Sequence, residues 1–114
     1  MTTNKQPKPY LLNIINSLEA INSYKPNRED QLSNDHKSYD AILMRLQDVG
    51  ENLIQLRDLF PTFWDENAID AWNKAIGLRN IISHGYVQIK LSIIWELISK
   101  DLPEFEESVR KLVE

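Results

Sequence analysis

The stretch Ile69-Asp70-Ala71-Trp72-Asn73-Lys74-Ala75-Ile76-Gly77-Leu78-Arg79-Asn80-Ile81-Ile82-Ser83-His84-Gly85-Tyr86 places Ile69, Trp72 and Ile76 three and four residues apart, the spacing of one face of an α-helix. Arg79 is the next position on that stripe, so its stem continues a buried face. Glycine fills a left-handed cap position without strain, which sets the expected helix end at Ser83 to Gly85, with a start near Asp65 to Asn67. Upstream, Tyr10, Leu11, Ile14, Ile15, Leu18 and Ile21 form one apolar stripe on a helix that starts after Pro9 and ends near Pro26. A polar loop follows. Tyr39, Ile42, Leu43, Leu46, Val49, Leu53, Ile54 and Leu59 then define a long helix that ends before Pro61. Pro61-Thr62-Phe63-Trp64-Asp65 reads as a turn or short irregular helix that tucks two aromatic rings onto the bundle.

Downstream, Val87, Leu91, Ile94, Trp95 and Ile98 resume the helical period, and Phe105, Val109, Leu112 and Val113 continue it beyond Pro103. Proline at that place predicts a kink or two consecutive helices, with Asp101 as a cap. No segment alternates with period two. The fold class is all-α: a bundle of four main helices plus a short C-terminal helix.

A chain of 114 residues makes one domain, residues 10–114, behind a polar and proline-containing N-terminus, residues 1–9, expected to be disordered. The absence of cysteine excludes disulfides, thiolate metal sites and cysteine nucleophiles. With no apolar run near the roughly 20 residues of a membrane span, the residues fit a cytoplasmic protein with no membrane partner. A net charge of −4 argues mildly against nucleic acid. Its distribution argues the other way, because no acidic residue lies between Asp70 and Glu96, whereas Lys74, Arg79, His84 and Lys90 do. That window is expected to keep a local positive field. Glu51, Asp48 and Asp58 on the second helix read as solvated acids, and Gly50, costly in mid-helix, reads as a point of close approach by another helix or a partner.

Within eight residues, Arg79, His84 and Tyr86 combine a fixed cation that forks onto phosphate oxygens, an imidazole that exchanges protons near neutral pH, and a phenol. Five positions carry His84 about 140° around a helix from Arg79, so one phosphate meets both only if His84 leaves the helical path. It would then turn back toward Arg79, or toward the same motif on a second copy. The chemistry needs no metal, and no G-x-S-x-G, H-E-x-x-H or glycine-rich phosphate loop competes with it. His36, the other histidine, has no assigned role.

The pattern R-x-x-x-x-H-x-Y, with Ile94-Trp95-Glu96-Leu97-Ile98, Asp101-Leu102-Pro103 and the Gly50-Glu51 pair, resembles the HepT-like branch of the HEPN ribonucleases over roughly residues 39 to 113. Those are toxins of toxin–antitoxin pairs. The resemblance implies a HEPN-type bundle that forms a homodimer and cleaves RNA, with transfer RNA or messenger RNA as substrate and no cofactor. The 2′-hydroxyl attacks the adjacent phosphorus, His84 acts as general acid/base and Arg79 holds the phosphate. Asn80 and Ser83 would support them through hydrogen bonds. The resemblance also implies neutralisation by an MNT-type nucleotidyltransferase antitoxin that transfers AMP to Tyr86. A noncatalytic HEPN module that binds a nucleotide or a protein remains the alternative.

Overall fold

The computed structural model describes residues 6–85 and 89–114. Part of the N-terminal segment, residues 1–5, and Tyr86 lie outside the described residues. Seven α-helices and one π-helical turn are described: α1 (Lys8–Tyr24), α2 (Glu29–Ser33), α3 (His36–Leu59), α4 (Pro61–Asn67), α5 (Asp70–Gly85), α6 (Leu91–Glu96), the π turn Leu97–Asp101 and α7 (Leu102–Val113). No strand occurs among the described residues.

Proline punctuates the chain as its chemistry demands. Lys25 is extended at the end of α1 because it precedes Pro26, and Pro61 occupies the first turn of α4, where its missing N–H is not needed. Asp35 caps α3 by accepting the Ser38 N–H. The helix therefore starts at His36, which is exposed, rather than at Tyr39. The polar loop before it contains the short α2, whose Leu32 is buried.

α3 lies between α1 and α5, and α7 closes the bundle by packing on both α1 and α5. The core joins Leu11, Ile14, Leu18 and Ile21 of α1 to Ile42, Leu46, Val49, Leu53 and Leu56 of α3, to Trp72 and Ala75 of α5, and to Phe105 and Val109 of α7. Trp72 is fully buried, edge-on to Trp64 of α4 at 5.3 Å and to Phe105 at 6.0 Å. The expected stripes of α1 and α3 are therefore core or packed against it, except Leu59 at the end of α3, which is exposed.

The all-α bundle expected from the periodicity is present, but its later elements divide differently. Residues 61–67 form a helix of their own, so α5 begins at Asp70 rather than at 65 to 67. The helix after residue 90 keeps only six α-helical residues, and the segment beyond Pro103 is the longer one. The π turn explains this. A proline ring clashes with the carbonyl four residues back on an α-helix, and widening the turn ahead of Pro103 lets the chain stay helical. Asp101 makes no cap hydrogen bond, contrary to expectation, and its carboxylate lies 3.7 Å from the Lys74 ammonium.

Candidate functional site

The last two turns of α5 and the middle of α3 build the site. α5 runs as a single helix through His84 and ends at Gly85, whose φ of +150° suits glycine alone. The helix end falls where the sequence put it, but His84 stays on the helix. It is exposed and has no hydrogen bond or ion pair among the described residues. Arg79 is half-buried, its side chain 24% exposed, and it lies against α3. An uninterrupted helix keeps the two side chains about 140° apart around its axis. The turn-back of His84 onto the arginine of its own chain is therefore corrected.

Arg79 is anchored instead by a carboxylate. Its Nε and Nη2 both donate to Oε2 of Glu51, at 2.9 and 2.5 Å, and its Nη1 donates to Oδ1 of Asn80 at 3.1 Å. One turn further along α5 and one turn back along the antiparallel α3, Gln47 Nε2 donates to the Ser83 hydroxyl at 3.3 Å. Gly50 is the close approach that its mid-helix position implied. A Cβ there would lie 2.2 Å from Arg79 Cβ and 2.7 Å from its Cγ, so only glycine lets the arginine stem cross α3.

Gly50→Ala is accordingly expected to destabilise the protein by about 1–3 kcal/mol through overpacking, although alanine is the better helix former. Urea denaturation followed by circular dichroism measures this; a variant as stable as the parent would mean that the seam opens at no cost.

Two cations of the acid-free window, Arg79 and Lys74, lie beside carboxylates. Glu51 pairs with Arg79, while Asp70 at 3.8 Å and Asp101 at 3.7 Å flank Lys74. The acids enter from α3, the π turn and the window's own edge. A linear reading of charge cannot see the first two. Glu51 was set aside as a solvated acid, and Asp48 also has a specific partner, accepting from the buried Ser17 hydroxyl at 2.6 Å. One signal for Glu51 was available: an arginine on a buried stripe needs a carboxylate nearby, and Glu51 adjoins the glycine that admits it. Among the described residues no group of three or more His, Asp or Glu is placed to hold a metal ion, and no helix is long and apolar enough to cross a membrane.

Comparison with known proteins identifies the family. The model of the family described as "Ribonuclease HepT-like" matches residues 14–112. A protein of Methanocaldococcus jannaschii named "gamma-glutamylcyclotransferase and putative RNase" is 29% identical over 96% of this chain, which spans only 49% of that relative's length. A "putative RNase" of Caldanaerobacter subterraneus subsp. tengcongensis is 28% identical, with 96% of each chain covered. A second "putative RNase" of M. jannaschii is 22% identical over 94% of this chain. No solved structure matches the chain. With the family model covering nearly all of the helical bundle, the chain belongs to the HepT-like ribonuclease family.

Proposed function

We propose that this protein is a metal-independent endoribonuclease toxin whose active site is assembled from two copies of the chain. The observation that carries the reading is the division of labour at the end of α5: Arg79 is held by Glu51 and Asn80, while His84 on the same helix is exposed and has no hydrogen bond or ion pair among the described residues.

In the reaction, the 2′-hydroxyl of RNA attacks the adjacent phosphorus. The new P–O2′ bond forms as the P–O5′ bond breaks, leaving a 2′,3′-cyclic phosphate and a free 5′-hydroxyl. His84 takes the proton of the attacking hydroxyl or protonates the departing oxygen, and water serves the other transfer. Arg79 directs N–H donors at the nonbridging oxygens as charge gathers on them. DNA, which lacks the attacking group, is not a substrate. Transfer RNA or messenger RNA is the target class for a toxin that arrests growth.

Arg79 and His84 of one chain point to different sides of α5, so one phosphate meets both only where two chains meet. A homodimer supplies that meeting. On α5, Gly77, Ile81 and His84 follow at helical spacing; Ile81 is 49% exposed, and a Cβ at Gly77 would meet nothing within 4 Å. That strip is open to the approach of a second copy, which would carry His84 to the contact.

The partner of the toxin is an MNT-type nucleotidyltransferase antitoxin, with Tyr86 as the residue that receives AMP. A bulky anion just past Gly85 would compete with RNA phosphate.

Incubation with total RNA in EDTA tests the reading. Wild type is expected to cut, while Arg79→Ala and His84→Ala each lose at least about a hundredfold in rate. Equal cutting by all three would reveal a contaminating nuclease. No cutting by unmodified dimeric protein would favour a noncatalytic module that binds a nucleotide or a protein.

A further inference from the structure

We propose that Glu51 is a positioning residue of this site, one that fixes which edge of the Arg79 guanidinium is offered to RNA; this rests on the ribonuclease reading above. A guanidinium has five N–H donors. Three are committed within the chain, from Nε and Nη2 to the single oxygen Glu51 Oε2 and from Nη1 to Asn80 Oδ1. One hydrogen on each of Nη1 and Nη2 remains. With Nε and Nη2 turned to Glu51, the edge between Nη1 and Nη2 is the one left, and its fork matches two oxygens of one phosphate. Glu51 thus occupies the side-on edge and leaves the end-on edge as the one available.

The neighbouring residues fit that assignment. Gly50 gives the arginine stem its passage across α3, and Glu51, the next residue, receives the head group. Because Glu51 is 47% exposed, its negative charge also reaches the solution where a phosphate would arrive. The clamp therefore has two opposing effects. It orients Arg79 for the transition state, and it weakens ground-state attraction for RNA by neutralising the cation. A residue that served only to stabilise the fold would have neither.

Glu51→Gln separates the two effects while keeping size and shape. The variant is expected to bind a 2′-O-methylated oligonucleotide, which cannot be cut, about two- to fivefold more tightly, with a steeper salt dependence. It should nevertheless cut labelled RNA under single-turnover conditions at least about tenfold more slowly, with a melting temperature close to that of wild type. Glu51→Asp, which keeps the charge on a shorter arm, should recover part of the rate and restore the weaker binding. In the protein alone, the Arg79 Nε–H nuclear magnetic resonance signal should exchange slowly in wild type and quickly in Glu51→Gln.

Wild-type cutting by Glu51→Gln would overturn the proposal, as would losses of cutting and binding that merely track lost folding. A wild type that cuts no RNA would sink the ribonuclease reading instead; the orienting clamp would then stand or fall on the Nε–H signal and the oligonucleotide affinity alone.

Discussion

Arg79→Ala and His84→Ala proteins, each inactive alone, are expected to cleave RNA once their subunits are mixed and allowed to exchange. The geometry of α5 makes this result informative. The helix is continuous from Asp70 to Gly85, so Arg79 and His84 of one chain point about 140° apart and cannot close on one phosphate. In a symmetric dimer the arginine of one copy and the histidine of the other can. A mixed dimer then holds one site with both groups intact and one with neither. Random exchange makes half of the dimers mixed, so the mixture should reach about a quarter of the wild-type rate. If arginine and histidine acted within one chain, every mixed dimer would lack one of the two groups at each site, and mixing would restore nothing. A mixture that stays inactive, with mixed dimers proven by co-purification of differently tagged subunits, would therefore eliminate the shared site. The effect is a change from no cleavage to easily measured cleavage, larger than the gain of any single contact produces.

How far the sequence carried depends on whether a signal was local. The stripes of α1 and α3, the end of α5 at Gly85 and the close approach at Gly50 were legible because each follows from helical periodicity or from what glycine alone permits. The short α2 was not, because five residues with one buried leucine show no period. The exchange in length between α6 and α7 was hidden for another reason. Pro103 announces a discontinuity, but whether the chain breaks or widens into a π turn depends on how the following α7 packs against α5 and α1. For the site, the sequence supplied Arg79, Asn80, Ser83 and His84 as neighbours along the chain, and the fold supplied Glu51 and Gln47 as neighbours in space. Pairing across 28 residues of chain leaves no trace in a linear charge pattern, which is why the window from Asp70 to Glu96 reads as positive although its Arg79 and Lys74 lie beside carboxylates.

That pairing changes what RNA recognition can rest on. A chain of net charge −4, with its best-placed arginine already paired, has little long-range attraction for a polyanion. Recognition then depends on a few N–H groups held in fixed directions, and fixed directions require a rigid bundle beneath α5.

Trp72→Ala tests that rigidity at its source and is expected to cost about 3–5 kcal/mol, a large share of the roughly 5–15 kcal/mol that holds a domain together. No other residue of α5 ties the helix to as much of the bundle. The indole is fully buried, meets Trp64 of α4 and Phe105 of α7 edge-on, and donates from Nε1 to the Ser108 hydroxyl at 3.0 Å. Alanine would leave a cavity where α4, α5 and α7 meet, and close packing allows only partial collapse into it. Trp72→Phe should be far milder. It keeps an aromatic ring between Trp64 and Phe105, and loss of the indole N–H strands no donor, because Ser108 Oγ still donates to the Phe105 carbonyl at 2.6 Å. Urea denaturation followed by circular dichroism should order the three proteins as wild type, Trp72→Phe, then Trp72→Ala. At temperatures where Trp72→Ala remains folded, its cleavage should fall further than its folded fraction, since a loosened α5 no longer holds Arg79 over Gly50. A Trp72→Ala loss below about 1.5 kcal/mol would mean that α5 is anchored elsewhere, and that the directional donors at its end do not depend on this core.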